Sequence, residues 1–300
     1  PSIFQKAIES GDEYSEQLSE LIGAGSSVTD AYWSLVTDDI TAALALFAPL
    51  YADSNAGDGY VSVEVAPSLA RDTDATIAMA RDLWQRIDRP NLYVKIPATL
   101  EGLPAIRQAI SEGININVTL IFSLDRYAAV MEAYIDGLDA ALDAGRDITN
   151  ISSVASFFIS RVDTEVDRRL DAVGADQALA LRGQAAVAQG QLAAAMAEET
   201  FAGDRWERLA HQGGRRQRPL WASTSTKNPA YPDTLYIDQL IGPGTVNTIP
   251  DATLNAFEDH GVVARTLDAD VEGARSTWAA IGSLVDMVDV STVLEVEGVA

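Results

Sequence analysis

Residues 92–122 read LYVKIPATLEGLPAIRQAISEGININVTLIF, and they contain the pattern that decides the fold. Two apolar runs, 92–96 and 116–122, have about the length of typical β-strands. The stretch between them, residues 103–110, has the apolar spacing of a short helix and carries Pro104 at a favourable first-turn position. A strand, a helix and a second strand in this order predict parallel strands joined by a helical crossover.

The same alternation runs through most of the chain. Apolar or β-branched runs predict six strands, at residues 61–65, 92–96, 116–122, 153–159, 219–224 and 245–248. The amphipathic stretches predict helices at residues 68–87, 103–110, 123–144, 161–199 (two helices broken near Gly174), 269–287 and 290–299. This arrangement leaves two α/β folds open, a closed (β/α)8 barrel and an open doubly wound sheet. The sequence has no Gly-x-Gly-x-x-Gly turn and no Walker-type phosphate loop, which favours the barrel.

The strand count falls short of a complete barrel, which needs eight strands where six are predicted. Residues 1–60 read as helical and supply none of the missing strands, and the chain begins with Pro1 instead of Met. No repeat, low-complexity tract or linker divides the sequence. The expectation is therefore a single domain over residues 1–300, a TIM barrel that lacks its first two strands and is cut short at both ends.

Composition excludes several classes of protein. The chain has 47% hydrophobic residues, no cysteine and two histidines, so disulfide scaffolds, thiolate zinc sites, cysteine nucleophiles and multi-histidine metal sites are excluded. A formal net charge of -23 argues against nucleic acid and anionic membranes as partners. No run of about 18 consecutive apolar residues and no signal-peptide pattern is present, so we expect a cytoplasmic protein.

Lysine is unusually rare in this sequence. The three lysines are Lys6, Lys95 and Lys227, against 21 basic residues in total. High-GC coding bias or adaptation to salt explains the depletion itself. A lysine that is kept inside an apolar strand nevertheless needs its own explanation.

Polar side chains stand near the carboxyl ends of four successive predicted strands, where parallel barrels carry their chemistry. They are Glu64, Lys95, Asn117 with Thr119, and Ser156. Each alone could be a satisfied core polar group, and Glu64 with Lys95 could be a buried ion pair kept for fold specificity. A buried amine that loses its proton attacks carbonyls and forms a Schiff base, and a neighbouring carboxylate moves the protons that each step requires. Such chemistry needs no metal and no cofactor.

Two further cations follow later strands. Arg161 lies just past the run 156–160, and Lys227 follows the run 222–226. Two cations near helix N-termini would hold a phosphate group, although each alone could be a solvated surface charge.

These residues carry a resemblance to the transaldolases. The segment 92–102 resembles the one that carries the Schiff-base lysine in that family, and 113–123 resembles the following strand. The segments around Glu64, 156–161, 219–229 and 245–250 are also similar, so the resemblance spans nearly the whole chain. It is nearest to the longer bacterial transaldolases of actinobacterial type.

The resemblance implies a TIM-barrel transferase of the pentose phosphate pathway that acts on phosphorylated sugars as a monomer or homodimer. Such enzymes move a dihydroxyacetone unit from sedoheptulose 7-phosphate to glyceraldehyde 3-phosphate, giving erythrose 4-phosphate and fructose 6-phosphate. It implies the following roles: Lys95 as Schiff-base nucleophile, Glu64 and Thr119 on the catalytic water, Asn117 and Ser156 on the three-carbon unit, Arg161 and Lys227 on phosphate.

The chain also departs from the family pattern. The acid on the family's first strand and the Asn on its second precede the motif Pro1-Ser2-Ile3-Phe4, with which this sequence begins. Ser225-Thr226 stands where a Gly and a small apolar residue are expected, which bears on the phosphate role of Lys227. Two alternatives stay open: a fructose 6-phosphate aldolase-like enzyme that releases dihydroxyacetone, and a non-catalytic sugar-phosphate-binding barrel.

Overall fold

The computed structural model describes residues 13–300, so Lys6 and the motif at residues 1–4 lie outside the described part. Its strands are β1 Val61–Glu64, β2 Leu92–Pro97, β3 Ile116–Ile121, β4 Ser153–Phe158, β5 Arg218–Ala222 and β6 Val246–Asn247. Its helices are α1 Ser15–Gly23, α2 Val28–Asp53, α3 Thr73–Ile87, α4 Gly102–Ser111, α5 Leu124–Asp143, α6 Ser160–Val173, α7 Asp176–Leu179, α8 Ala185–Thr200, α9 Asp204–His211, α10 Leu235–Gln239, α11 Asp251–His260, α12 Val271–Gly282 and α13 Met287–Val299. All six predicted strands are present.

The strands form one sheet in sequence order, β1 to β6. The pairs β3–β4, β4–β5 and β5–β6 are parallel, with Asn117 opposite Val154 and Ser156 opposite Leu220. Helices connect the successive strands, as the sequence pattern predicts. An α/β fold with six parallel strands in this order fits a TIM barrel that lacks some of its strands.

The chain divides into two compact units. The first takes in the described residues up to Val63 together with Met79–Val94. In this unit the buried Asn91 side chain donates hydrogen bonds to the carbonyl oxygens of Leu44 (3.0 Å) and Gly59 (2.9 Å). The second unit takes in Glu64–Ala78 and Lys95–Ala300, and it contains the candidate site residues.

Local sequence signals explain several helix boundaries. Ser123 caps α5 as predicted, since its hydroxyl accepts from the Arg126 amide at 3.1 Å. The predicted break near Gly174 is confirmed, because Gly174 ends α6 in the left-handed region at φ 68°. The predicted helix 68–87 is wrong in its first turn. A short 3-10 turn, Pro67–Leu69, comes first, and the Asp72 carboxylate then accepts from the Ala75 amide at the start of α3.

Helix α2 is long and apolar. Among the described residues it is the one helix with the length and composition to cross a membrane, with a mean hydropathy of 1.4 over its best window, 28% of which is buried. A core helix of a globular protein meets the same two criteria. Its buried positions are Ala31, Leu35, Val36, Thr37, Ile40 and Leu44.

Helix α6 carries a buried acid. Asp163 is 2% exposed, and its carboxylate accepts hydrogen bonds from the Tyr236 hydroxyl (2.8 Å) and the Ala186 amide (2.7 Å). Burial raises the pKa of this carboxyl from 3.8 to about 7, against the opposing effect of those two hydrogen bonds. Between these two pKa values the folded chain holds a proton that the unfolded chain has released.

We therefore expect the free energy of unfolding to fall by roughly 4 kcal/mol as the pH rises from about 4 to about 7. The cause is the proton that the Asp163 carboxyl holds more tightly in the folded protein. The stabilising protonated form is fully present below the unfolded pKa and is lost as the pH passes the folded pKa. Asp163→Asn should remove this decline. Urea unfolding at several pH values measures it.

The control for this measurement is Asp171→Asn. Asp171 lies on the same helix, but it is exposed and paired with Arg182 at 2.7 Å. This variant should keep the decline of the unmodified protein. Parallel pH profiles for the unmodified protein and Asp163→Asn would contradict the prediction.

Candidate active site

Lys95 and Glu64 form an ion pair between neighbouring strands. Lys95 lies on β2 and Glu64 ends β1, and the distance from Nζ to Oε2 is 3.5 Å. Each side chain is 26% exposed, so the pair is half-buried and still reachable from solvent. The Val65 amide donates to the Lys95 carbonyl at 3.1 Å, which fixes the register of the two residues.

Asn117 and Ser156 form a second polar pair, on β3 and β4. The Ser156 hydroxyl donates to Asn117 Oδ1 at 2.7 Å, and both side chains are buried. The structure thus brings the predicted residues together as two pairs, Glu64 with Lys95 and Asn117 with Ser156. The four residues belong to four consecutive strands of the sheet.

Thr119 lies where β3 becomes irregular. It is fully buried, and among the described residues its hydroxyl has no hydrogen-bond partner. The next residue, Leu120, has φ 59°, and the pairing with β4 shifts between Val118 and Ile121. A bulge of this kind re-aims side chains and is common beside active sites.

The loop that follows Lys95 is held tightly to the loop that follows β1. The Thr99 hydroxyl donates to the Ala70 carbonyl at 2.5 Å, and the Thr73 hydroxyl donates to the Glu101 carbonyl at 2.6 Å. The Gly102 amide in turn donates to Thr99 Oγ1 at 2.9 Å. Three hydrogen bonds therefore fix the backbone just beyond the lysine strand.

Arg161 lies in the first turn of α6. Its guanidinium carbon is 5.0 Å from the centroid of the Phe158 ring, an arrangement that holds the cation at the carboxyl end of β4. The hydroxyls of Ser160 and Ser223 are 2.9 Å apart and join the starts of the segments after β4 and β5.

Lys227 lies in a different environment. Its ammonium donates to Ser225 Oγ at 2.6 Å. It also lines a cavity of about 300 Å³ whose other lining residues are Asp163, Thr164, Asp167, Arg168, Asp171, Asn228, Tyr231 and Tyr236. Arg161 does not line this cavity in the described part of the chain, so a phosphate site shared by Arg161 and Lys227 stays a prediction.

The carboxylates of this cavity are held by other groups. Tyr236 donates to Asp163 at 2.8 Å, and Tyr231 donates to Asp167 at 2.6 Å. Burial, followed by the hydrogen bond to Asp167, raises the pKa of the Tyr231 hydroxyl. Over residues 13–300 no group of three or more His, Asp or Glu side chains is placed to hold a metal ion.

Sequence reasoning missed a set of charged residues around the carboxyl ends of β1 and β3. Arg71 and Arg126 both pair with Glu295 of α13, at 2.7 Å and 3.4 Å. One signal was available. Arg126 is a cation in the first turn of a helix, where the helix dipole disfavours positive charge, so it needs a partner of its own.

The fold and these contacts define a class of protein. It is an α/β protein with parallel strands, and an amine and a carboxylate meet at the carboxyl ends of neighbouring strands. All 300 residues, 1–300, match the transaldolase/fructose-6-phosphate aldolase family. The chain belongs to this family of TIM-barrel enzymes, whose name covers a transferase and an aldolase.

Three relatives that match over the whole chain share one name. A protein of Parafrankia sp. (strain EAN1pec) named transaldolase is 55% identical over all of this chain and 82% of its own length. Transaldolases of Thermobifida fusca (strain YX) and Mycolicibacterium smegmatis are 53% and 52% identical over all of this chain, and over 82% and 81% of their own lengths. The resemblance to the actinobacterial transaldolases is thereby confirmed.

Gly102 offers a test of the loop beyond Lys95. A Cβ at this position would lie 2.0 Å from the Pro97 carbonyl oxygen and 3.0 Å from Thr99 Oγ1. We expect Gly102→Ala to displace this backbone, to lower the free energy of unfolding by about 1–3 kcal/mol and to reduce activity. Denaturant unfolding and steady-state kinetics measure the two effects.

Gly282→Ala is the matched control, because a Cβ there meets nothing within 4 Å. It should leave both quantities unchanged or raise stability slightly. Equal behaviour of the two variants would show that the loop tolerates a methyl group at Gly102.

Proposed function

We propose that this protein is a transaldolase of the pentose phosphate pathway that works through a Schiff base on Lys95. It transfers a dihydroxyacetone unit from sedoheptulose 7-phosphate to glyceraldehyde 3-phosphate, which gives erythrose 4-phosphate and fructose 6-phosphate. The observation that carries the proposal is the half-buried Lys95 amine on a parallel strand, 3.5 Å from the Glu64 carboxylate. Transaldolase relatives at 50–55% identity over the whole chain support it.

The reaction begins at the Lys95 nitrogen. The neutral amine attacks the ketose carbonyl carbon, the carbinolamine takes up a proton and loses water, and a protonated imine forms. A base in the site then takes the proton of the donor's C4 hydroxyl, the bond between C3 and C4 breaks, its electron pair enters the iminium group to form an enamine, and the remaining fragment leaves as an aldehyde. The enamine adds to the acceptor aldehyde, and water hydrolyses the new imine and frees Lys95.

Glu64 and Thr119 serve the steps that gain or lose water. The Glu64 carboxylate lies beside Lys95 Nζ and is suited to hold a water molecule and move its protons. The Thr119 hydroxyl is buried and has no hydrogen-bond partner among the described residues, so it is available to the same water.

Asn117 and Ser156 bind the three-carbon unit. Their side chains already form a hydrogen bond to each other on β3 and β4. An amide and a hydroxyl offer both donors and acceptors, which match the hydroxyl groups of bound dihydroxyacetone. These contacts orient the imine for cleavage of the neighbouring bond.

Arg161 and Lys227 bind the phosphate group of the sugar. Arg161 stands at the start of a helix, where the amide groups also favour an anion. Lys227 forms no ion pair with a carboxylate among the described residues, although three aspartates line the cavity beside it. Phosphate binding there therefore uses the side of the ammonium that faces away from these aspartates.

The proposed function also determines which partners and which cellular location we expect. The substrates are phosphorylated sugars, and no metal or cofactor takes part in the reaction. The net charge of -23 disfavours nucleic acid and anionic membranes. A cytoplasmic monomer or homodimer agrees with a metabolic transferase.

Borohydride trapping tests the mechanism. Fructose 6-phosphate with sodium borohydride should leave one reduced three-carbon adduct per chain, because borohydride reduces the imine to a stable amine. The chain has only three lysines, so peptide mapping assigns the adduct unambiguously. We expect it on Lys95, and Lys95→Arg should abolish both trapping and activity.

The matched control is Lys227→Gln, which should still form the adduct. Trapping that survives in Lys95→Arg would contradict the assigned nucleophile. A protein that binds the sugar phosphate and forms no adduct would support the non-catalytic alternative instead.

The phosphate assignment has its own prediction. Arg161→Gln and Lys227→Gln should each raise KM for fructose 6-phosphate by about tenfold or more, since each removes a hydrogen bond to a charged group. The change in kcat should be smaller. Arg265→Gln, which removes an exposed ion pair with Asp268, is the control and should leave KM unchanged. An unchanged KM in Lys227→Gln would remove this residue from the site.

A free aldolase is the second candidate, because the family that matches this chain takes its name from both activities. The two differ in the fate of the enamine, which either adds to an acceptor or is protonated and released. Cleavage of fructose 6-phosphate with and without erythrose 4-phosphate separates them. A transaldolase shows rapid turnover only with the acceptor, and an aldolase releases dihydroxyacetone without it.

A further inference from the structure

Arg126 connects the C-terminal helix to the backbone beside the candidate catalytic residues. It lies in the first turn of α5, directly after β3, and its side chain is 21% exposed. Nη1 donates to the Ala98 carbonyl at 2.7 Å, and Nη2 lies 3.4 Å from Glu295 Oε2. One guanidinium therefore holds a buried main-chain oxygen with one nitrogen and a carboxylate with the other.

Ala98 is a sensitive point for such a contact. It is fully buried and lies three residues beyond Lys95. Its amide donates to the Thr119 carbonyl at 2.7 Å, so this single peptide joins the end of the lysine strand to the strand of Thr119. A hydrogen bond from a cation to the Ala98 carbonyl is stronger than one between neutral groups, and it fixes this junction.

Glu295 holds Arg126 in place and ties it to a third loop. Its side chain is 15% exposed, and its second oxygen lies 2.7 Å from Nη2 of Arg71, in the segment after β1. Arg71 also pairs with Glu101 of the loop after β2, at 3.4 Å. The Glu295 carboxylate thus bridges two arginines that stand beside the carboxyl ends of β1 and β3.

The end of α13 lies close to the bulge in β3. A Cβ on Gly298 would lie 3.0 Å from the Leu120 side chain, and Leu120 directly follows Thr119. The C-terminal helix α13 therefore reaches the end of β2, the strand of Lys95, through Arg126. It reaches β3, the strand of Thr119, through Leu120. Both contacts involve backbone that carries candidate catalytic side chains.

We propose that Arg126 is a positioning residue for the Schiff-base reaction, and that Glu295 of the C-terminal helix acts through it. The inference rests on the proposed function, because it assigns a task relative to Lys95 and Thr119. Arg126 touches no reacting atom. It holds the Ala98 peptide, and thereby keeps the backbone that carries Lys95 and the backbone that carries Thr119 in one fixed relation. The partly buried Glu295 carboxylate keeps the guanidinium from turning to solvent, and its ion pair is screened less than an exposed one.

The experiment compares Arg126→Gln, Arg126→Lys and Glu295→Gln in the natural protein, with fructose 6-phosphate as donor and erythrose 4-phosphate as acceptor. Small displacements of reacting groups cost up to about 100-fold in rate, so Arg126→Gln should lower kcat by about 10- to 100-fold with KM changed less than about threefold. The rate of borohydride trapping should fall in parallel. Arg126→Lys, which keeps the charge but reaches only one partner, should recover part of kcat.

The double variant Arg126→Gln/Glu295→Gln tests whether Glu295 acts through Arg126. Glu295→Gln alone should lower kcat several-fold, and the double variant should be no slower than Arg126→Gln within about twofold. Losses that multiply would overturn the role given to Glu295. The control is Arg216→Gln, which removes an exposed ion pair with Glu198 (side chains 46% and 72% exposed) and should leave kcat unchanged.

Two further outcomes would overturn the inference. One is an Arg126→Gln protein that is folded and has the kcat of the unmodified protein. The other is a loss that follows only the folded fraction, with fewer trapped sites but the same rate per site, which is the signature of a merely structural role. If the unmodified protein forms no adduct, both the proposed function and this inference are wrong. If trapping is normal in the unmodified protein and in every variant, only this inference is wrong.

Discussion

The contact between Lys95 and Glu64 is the interaction on which the arrangement of this site depends. An amine and a carboxylate on strands that are otherwise apolar lose hydration when the sheet forms, and their mutual attraction at 3.5 Å offsets only part of that loss. Both side chains keep about a quarter of their surface exposed, which limits the loss. A pair of this kind adds little to stability. An accessible amine beside a base suits the proposed chemistry better than it suits a stabilising role.

The surroundings of the pair are more rigid than the pair itself. The hydrogen bonds of Thr99 and Thr73 hold the loops after β1 and β2 together, and the Ala98 amide joins β2 to β3. Ala70, Ala98 and Thr99 are buried, so a lost hydrogen bond of their backbone groups is not readily replaced by water. The Lys95 side chain is thus a long, flexible group on a fixed base. The proposed Schiff-base role requires such mobility, because in that role the nitrogen alternates between free amine and imine.

The sequence predicts the strands well because each apolar run is bounded by polar or turn residues, and the period of two or of 3.6 separates strand from helix. It also predicts polar side chains near the carboxyl ends of four successive strands, since parallel strands bring these ends to one edge, whereas the hydrogen bond between Ser156 and Asn117 is seen only in the structure. Helices α9, α10 and α11 were missed, because they are short and only Trp206, Leu209, Tyr236, Ile237 and Thr253 within them are buried. Such segments become helical because they pack against the rest of the protein, which no local sequence pattern predicts.

The sequence does not predict contacts between residues that lie far apart in the chain, and the reason is a different one. Glu295 meets Arg71 and Arg126 across more than half of the chain, and no spacing rule connects these positions. The sequence also does not predict which residues surround Lys227. The run 222–227 shows a strand end followed by a cation, but the three aspartates beside it come from α6.

The negative net charge of the chain affects which arginines and lysines are paired with carboxylates. With a net charge of -23, an arginine or lysine has many carboxylates within reach, and Arg71, Arg126, Arg169 and Arg205 all form ion pairs. Arg161 lies over the Phe158 ring and Lys227 donates to Ser225, and neither forms an ion pair within the described residues. A cation that is already neutralised must lose its partner before it binds phosphate, whereas an unpaired one binds without that cost. The same acidity that disfavours nucleic acid therefore separates two kinds of cation: Arg71 and Arg126 are held by Glu295, whereas Arg161 and Lys227, which lack a carboxylate partner among the described residues, are the ones proposed to bind the sugar phosphate.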